Sequence, residues 1–336
     1  MVKRVGIVGC GGIAHVHAEV LHHMETIELA AFADIRPERA EEFAGRLGGN
    51  AYASLEEMLE KEKLDVLHIC TPHYLHVPMA IEALEKGLDV VMEKPPAISK
   101  EQQAQLREVL ARHPERQLGV SFQNRYNPGT QVVRRFLTEN TFGKVLGARA
   151  FVTWKRDVPY YTESGWRGTW KTEGGGVLIN QSIHTLDLLR YLLGEPKSVE
   201  GRVVNHHLKE IIEVEDTAEA YIEFPNCNAL FYATTAYCTD SPVVVEIVCE
   251  KAVLRIEGDE VTVAENGKKP VKQEFPALPH AGKDCWGASH QALIGDFYRC
   301  LEGGEHFAID FDEACRTLNL MLGIYESNES KKPALL

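Results

Sequence analysis

Three small residues, Gly9, Gly11 and Ala14, follow a GxGxxA spacing directly after the apolar run VGIV at 5–8. Between a strand and a helix, this spacing makes a phosphate cradle. The first glycine permits the sharp turn, the second lets backbone approach a pyrophosphate, and the small third residue lets helix pack on strand. Alone, the pattern reads equally as a plain turn. Asp34, however, closes the next predicted strand 20 residues beyond Ala14, where a carboxylate accepts hydrogen bonds from an adenosine ribose. Gly9, Gly11, Gly12, Ile13, Ala14 and Asp34 therefore read as a dinucleotide site. The carboxylate repels a ribose 2'-phosphate and so favours NAD over NADP, although Arg36 could partly accommodate that phosphate.

The elements that must hold this turn alternate. Strands are predicted at RVGIV, IELAAFAD, LDVLHICT, LDVVME and QLGVSF, and helices at 13–24, 37–47, 76–86 and after Ser99. Ser54 with Glu57 forms a capping box before LEEMLEK. Near-continuous apolar strands joined by helices mean a parallel, doubly wound sheet covered on both faces, an α/β Rossmann domain over 1–122. After QNRYNPG the rhythm changes. A helix at 130–139, the strand VLGARAFVTW, an irregular stretch at 156–176 and a helix from Val177 to Gly194 lead into consecutive strands up to about Val263. Two helices, 290–301 and 312–326, close the chain. Strands without intervening helices predict an antiparallel sheet, so 123–336 reads as an α+β substrate and oligomerisation domain whose last helices can pack back on the first domain.

Composition narrows the partners. With 336 residues and 44% hydrophobic content, the chain can bury two cores, and its net charge of -13 argues against nucleic acid or an anionic membrane. Eight scattered cysteines without a CxxC pair, no secretory leader and no long apolar run point to a cytoplasmic protein with reduced thiols. Histidines are numerous (His15, His17, His22, His23, His68, His73, His76, His206, His207), but no HExxH or finger spacing accompanies them, and no metal is expected.

Several segments resemble one family. MEKPP at 92–96 resembles the EKP motif of the glucose-fructose oxidoreductase and inositol dehydrogenase (Gfo/Idh/MocA) family. CTPHYLH (Thr71, Pro72, His73, His76) resembles its Thr-Pro segment, followed by a histidine beside the nicotinamide. GGGVLINQSIHTLDLLRYLLGEP resembles its Gly-Gly, Asp, His, Asp helix, and VEDTAEAYIEF and IYESNESKKP resemble later segments. The resemblance implies oxidation of a secondary alcohol on a sugar or inositol, or reduction of the ketone, with NAD as hydride carrier. It also implies a homodimer or homotetramer formed through the C-terminal sheet.

Hydride leaves carbon only as the hydroxyl loses a proton, so such a site needs a base and a cation near the developing alkoxide. The resemblance gives the cationic role to Lys94, at the C-terminal end of a parallel strand where α/β ligands bind, with Glu93 beside it at the cofactor and a cis bond expected at Pro95 or Pro96. His184 is the expected base. Asn180, His184 and Asp187 stand at i, i+4 and i+7 on the expected helix face, with Asn180 catalytic by orienting the substrate and Asp187 either holding His184 or pairing locally. Asn180 departs from the aspartate of many relatives, because an amide takes no proton. Arg125, Trp166, Arg167, Trp286 and His290 are expected substrate contacts. Lys94 and His184, from two domains, would meet over the nicotinamide. The alternative is a sugar hydrolase or isomerase, sialic-acid derivatives included, that uses tightly bound NAD in a transient redox cycle. A non-enzymatic NAD sensor predicts loss of Lys94 or His184, and both are present.

Overall fold

A computed structural model describes residues 2–275 and 289–336; Trp286 lies outside them. The described chain divides into two units, residues 2–123 with 289–315 and residues 124–275 with 316–336. The first begins with β1 (Lys3–Val8), α1 (Gly12–His22), β2 (Ile27–Ala33), α2 (Pro37–Leu47), β3 (Asn50–Tyr52), α3 (Leu55–Lys61), β4 (Val66–Ile69), α4 (His76–Glu85), β5 (Asp89–Met92), α5 (Lys100–Arg112) and β6 (Leu118–Val120). Next come α6 (Pro128–Thr138), β7 (Val145–Thr153), α7 (Val158–Thr162), α8 (Ile183–Leu193), β8 (Ser198–Val204), β9 (Thr217–Glu223) and β10 (Asn228–Thr234). The chain then continues through β11 (Val244–Cys249), β12 (Ala252–Glu257), β13 (Glu260–Glu265), β14 (Val271–Lys272), α9 (His290–Gly303), α10 (Phe311–Ser330) and β15 (Ala334–Leu335).

In the first unit six strands pair in the order β3-β2-β1-β4-β5-β6, every pair parallel. The order reverses between β1 and β4, the place where α/β sheets open a crevice at their C-terminal ends. All of β4 and β5 and the last four residues of β1 are buried, as a sheet covered on both faces requires. The serine caps form as read: Ser54 Oγ accepts from the Glu57 N–H at 3.1 Å and Ser99 Oγ from the Gln102 N–H at 3.2 Å. On β6, a Cβ added at Gly119 would come within 2.8 Å of the Phe297 ring and 2.9 Å of the Phe307 ring. A side chain there would push α9 off the sheet.

The second unit holds a nine-stranded sheet, β14-β13-β12-β11-β7-β10-β9-β8-β15. It is largely antiparallel, with β7 and β10 as a parallel pair at its centre. Period-two alternation sets its faces: Ala218, Ala220, Ile222, Ala229, Phe231 and Ala233 are buried, while Glu219, Tyr221, Glu223 and Leu230 face out.

One expected helix boundary moves. The sequence pattern starts the helix at Val177, but the backbone turns irregularly until α8 begins at Ile183. Glu215 is the reason. Its carboxylate accepts from the Gly176 and Leu178 N–H groups at 3.0 Å, while the Ser182 N–H reaches back to the Val177 carbonyl. Asn180 therefore precedes the helix that carries His184 and Asp187, and the three do not share one helical face.

Candidate active site

The opening glycines form a tight turn between β1 and α1. Gly9 has φ +85°, and a Cβ on it would lie 2.7 Å from the Cys70 carbonyl carbon. Glycine alone combines that conformation with so close an approach to the Cys70–Thr71 backbone. A Cβ on Gly11 would meet nothing within 4 Å, so that backbone faces open space at the start of α1, which lacks a side-chain cap. Free N–H groups at a helix N-terminus suit a pyrophosphate. Asp34 is oriented beside the turn by the Cys10 and Arg36 N–H groups, each 2.8 Å from one of its oxygens. A carboxylate has about four acceptor sites, which leaves capacity for a ribose. These residues fit NAD.

At the C-terminal end of β5, Glu93 is 6% exposed and Lys94 half-buried, and the Lys94–Pro95 bond is cis. A buried chain converges on Glu93. His17 Nε2 lies 3.1 Å from Glu93 Oε1, His17 Nδ1 lies 2.8 Å from His68 Nδ1, and His68 Nε2 lies 2.9 Å from the Tyr298 hydroxyl. His290 Nε2 is 3.7 Å from the same Glu93 oxygen. Burial alone would raise the Glu93 carboxyl, but its interactions with His17 and His290 hold it well below the usual range. An ionised Glu93 only accepts, so His17 Nε2 donates to it. His17, Glu93 and His290 bring ligand atoms within 4.8 Å of one another.

His76, expected near the nicotinamide, is fully buried, and its ring nitrogens lie 2.9 Å from the Pro95 and Thr71 carbonyl oxygens. It ties the Lys94–Pro95 segment to the Thr71–Pro72 loop, and His73 stacks obliquely beside it. Burial pushes the His76 pKa down, against its two carbonyl partners. His290 belongs to this buried group, with its ring turned to Glu93.

In the second unit, Asp187 takes Arg125 as its partner. Arg125 Nε and Nη2 donate to the two Asp187 oxygens at 2.7 and 2.5 Å, and Thr317 Oγ1 donates at 2.8 Å. With 5% and 1% exposure, this is a buried two-pronged ion pair. The Arg125 guanidinium, expected at the substrate, is committed to fixing α8. His184 is half-buried on that helix. The Arg167 guanidinium carbon lies 4.3 Å from the centre of the Tyr160 ring and 4.7 Å from that of the Trp166 ring, a cation beside two aromatic rings.

Two buried acids here escaped sequence reading. Glu173, 1% exposed, accepts from Asn180 Nδ2 at 2.5 Å and from the Gly168 N–H at 2.6 Å; burial pushes it up to about 7, against those bonds and the Arg167 charge. Glu215 grips the triple glycine and accepts from the Tyr325 hydroxyl at 2.8 Å; burial lifts it also to about 7. A Cβ on Gly176 would sit 1.9 Å from the Glu215 carbonyl oxygen, and one on Gly175 would sit 2.3 Å from the Tyr325 hydroxyl. The available signal was an acid directly before three glycines and another inside VEDTAEAYIEF.

Residues 3–122 match the oxidoreductase family with an NAD-binding Rossmann fold, Gfo/Idh/MocA, and residues 130–255 match the Gfo/Idh/MocA C-terminal domain. The chain belongs to the Gfo/Idh/MocA family. The D-glucoside 3-dehydrogenase of Escherichia coli is 31% identical over 255 residues, 69% of this chain and 70% of its own length. The glucose-6-phosphate 3-dehydrogenase of Bacillus subtilis is 28% identical over 235 residues, 67% of this chain and 65% of its own. The chain thus spans about two thirds of these curated relatives. Among solved structures, the WlbA dehydrogenase of Bordetella pertussis, in complex with NADH and UDP-GlcNAcA, is similar with a TM-score of 0.88 at 26% identity, covering 100% of this chain and 99% of that one. As a Gfo/Idh/MocA member, the chain is a nicotinamide-dependent dehydrogenase that transfers hydride to or from a sugar or polyol carbon. The named relatives are dehydrogenases, which does not favour the hydrolase alternative. Among the described residues no helix is long and apolar enough to cross a membrane, and seven cysteines are free thiols.

Proposed function

We propose that this dehydrogenase oxidises the 3-hydroxyl of a pyranose, using NAD in preference to NADP, in the cytoplasm. The reading is carried by Lys94, held at the C-terminal end of β5 between a Glu93 fixed by His17 and a Pro95 carbonyl fixed by His76. The two curated relatives described above, both 3-dehydrogenases, support the position of attack. NAD held by the glycine turn and Asp34 supplies the hydride acceptor. The Lys94 ammonium lowers the substrate hydroxyl's pKa and stabilises the oxygen charge as the C–H bond breaks, and His184 takes the proton. Asn180 orients the hydroxyl, and Trp166 with Arg167 offers a ring face and a cation to the sugar. Asp34 disfavours a 2'-phosphate. Free thiols suit a reducing compartment. Leu230 and Tyr221, 57% and 45% exposed and paired in register on the outer sheet face, support a homodimer or homotetramer built through that face.

The test is a screen of methyl glucosides, glucose 6-phosphate, UDP-N-acetylglucosaminuronic acid and myo-inositol with NAD and NADP, read at the nicotinamide absorbance. At least one pyranose should turn over, with kcat/KM about tenfold or more higher for NAD, the worth of roughly 1.4 kcal/mol. Turnover of the inositol alone would overturn the pyranose reading.

A further inference from the structure

Glu173 is a buried acid that the reaction just described leaves without a part. An ionised carboxylate only accepts, whereas an amide donates on one side and accepts on the other. Asn180 Nδ2 is turned to Glu173 Oε1 at 2.5 Å and lies 3.4 Å from the Tyr160 hydroxyl, so Oδ1, on the other arm of the amide, is not the atom that meets Glu173. We propose that Glu173 is a positioning residue that locks the Asn180 amide with its carbonyl oxygen turned to the substrate hydroxyl, making Asn180 an acceptor in this chain. The proposal rests on the reading above that Asn180 touches substrate.

The lock depends on the charge of Glu173. Once protonated, the acid donates to an amide oxygen, and the side chain is free to turn its NH2 group outward. The groups around it pull in both directions. The Arg167 guanidinium favours the ionised form and the nearby Glu215 carboxyl opposes it. Tyr160, Tyr161 and Tyr325 are the other titratable groups that sense the same acid. Burial outweighs the rest and brings the change to about neutral pH. Carbonyl-out Asn180 therefore dominates in weakly basic solution and amino-out Asn180 in weakly acidic solution.

Two arms decide it. In the perdeuterated full-length protein, the 15N side-chain amide of Asn180, assigned by its loss in Asn180→Asp, is followed by TROSY NMR between about pH 5 and pH 9, bracketing ordinary and raised carboxyl values. The expected result is a titration with a midpoint near 7 that is absent in Glu173→Gln; a flat wild-type response overturns the lock. In the second arm, kcat/KM for glucose 6-phosphate and methyl glucoside is compared across that range. Asn180→Ala should lose about tenfold and Glu173→Gln should lose the ionisation near 7 with a similar drop, the worth of one hydrogen bond to the reacting group. Unchanged kcat/KM in Asn180→Ala overturns the substrate contact while the amide titration stands. Absence of turnover with every sugar fails the pyranose reading alone, and the titration still decides the lock.

Discussion

Glu93 and Glu173 are carboxylates at nearly equal burial, one in each unit, and their surroundings drive them apart. Glu93 receives imidazole donors from His17 and His290, with His68 and Tyr298 aligned behind His17. Glu173 receives one backbone N–H and one amide, with a second buried acid, Glu215, nearby. Burial penalises charge in both places and each carboxylate meets two donor groups; the charge interactions with His17 and His290 hold Glu93 low, whereas beside Glu173 the Glu215 acid opposes the Arg167 charge and burial prevails. The first unit thus carries a fixed negative charge beside Lys94, and the second carries an acid poised to titrate beside Asn180.

The largest expected effect tests whether the fixed-charge region serves the chemistry. Lys94→Ala should lower kcat about a thousandfold, the upper range for one charge-stabilising donor, with NAD affinity by fluorescence titration little changed; retained turnover would remove the first unit from the comparison. Glu93→Gln leaves His17 and His290 without an anionic acceptor and should cost about 3 kcal/mol in urea unfolding at neutral pH, the upper end for a hydrogen bond to a charge. A carboxyl held low stabilises above the unfolded value of about 4.3 and loses that advantage as pH falls through its folded value. The gap between wild type and Glu93→Gln should therefore close in acid.

Glu173→Gln should show the opposite slope. A carboxyl raised from 4.5 to about 7 penalises the folded state once the unfolded chain ionises, by on the order of 3 kcal/mol when fully charged. The variant should match wild type near pH 4 and become progressively more stable up to about pH 8, levelling off above the raised carboxyl value. Parallel slopes for the two variants, in urea unfolding across pH, would erase the distinction between the sites. The smallest effect belongs to Asp34→Ala, which should cut the NAD to NADP preference in kcat/KM about tenfold, the worth of roughly 1.4 kcal/mol.

The first unit was the more legible because its signals are local. Apolar runs bounded by Ser54 and Ser99 caps located strands and helices, and GxGxxA located the tight turn between β1 and α1 that Asp34 stands beside. In the second unit the decisive contacts are distant in sequence. Arg125 and Asp187 are 62 residues apart and Glu215 lies 37 residues from Leu178, so nothing near Asp187 announced its partner. The helix pattern after Val177 was genuine in composition, but a tertiary acceptor took the first N–H groups and delayed the helix. Glu173 resembled any solvated charge in a glycine-rich loop, and only packing revealed it as buried. Family resemblance supplied Lys94 and His184 but carried no information about these supports.

Gly119 has a consequence for how the protein is made. The ribosome delivers β6 long before α9, yet Phe297 and Phe307 are the rings that lie against that glycine, and Tyr298 is the group that meets His68 on β4. The nascent N-terminal sheet therefore emerges with part of one face bare and waits for almost the entire chain before it is covered. A circular permutant that moves 289–315 ahead of β1 would let that sheet close as it leaves the exit tunnel, with less need for chaperones.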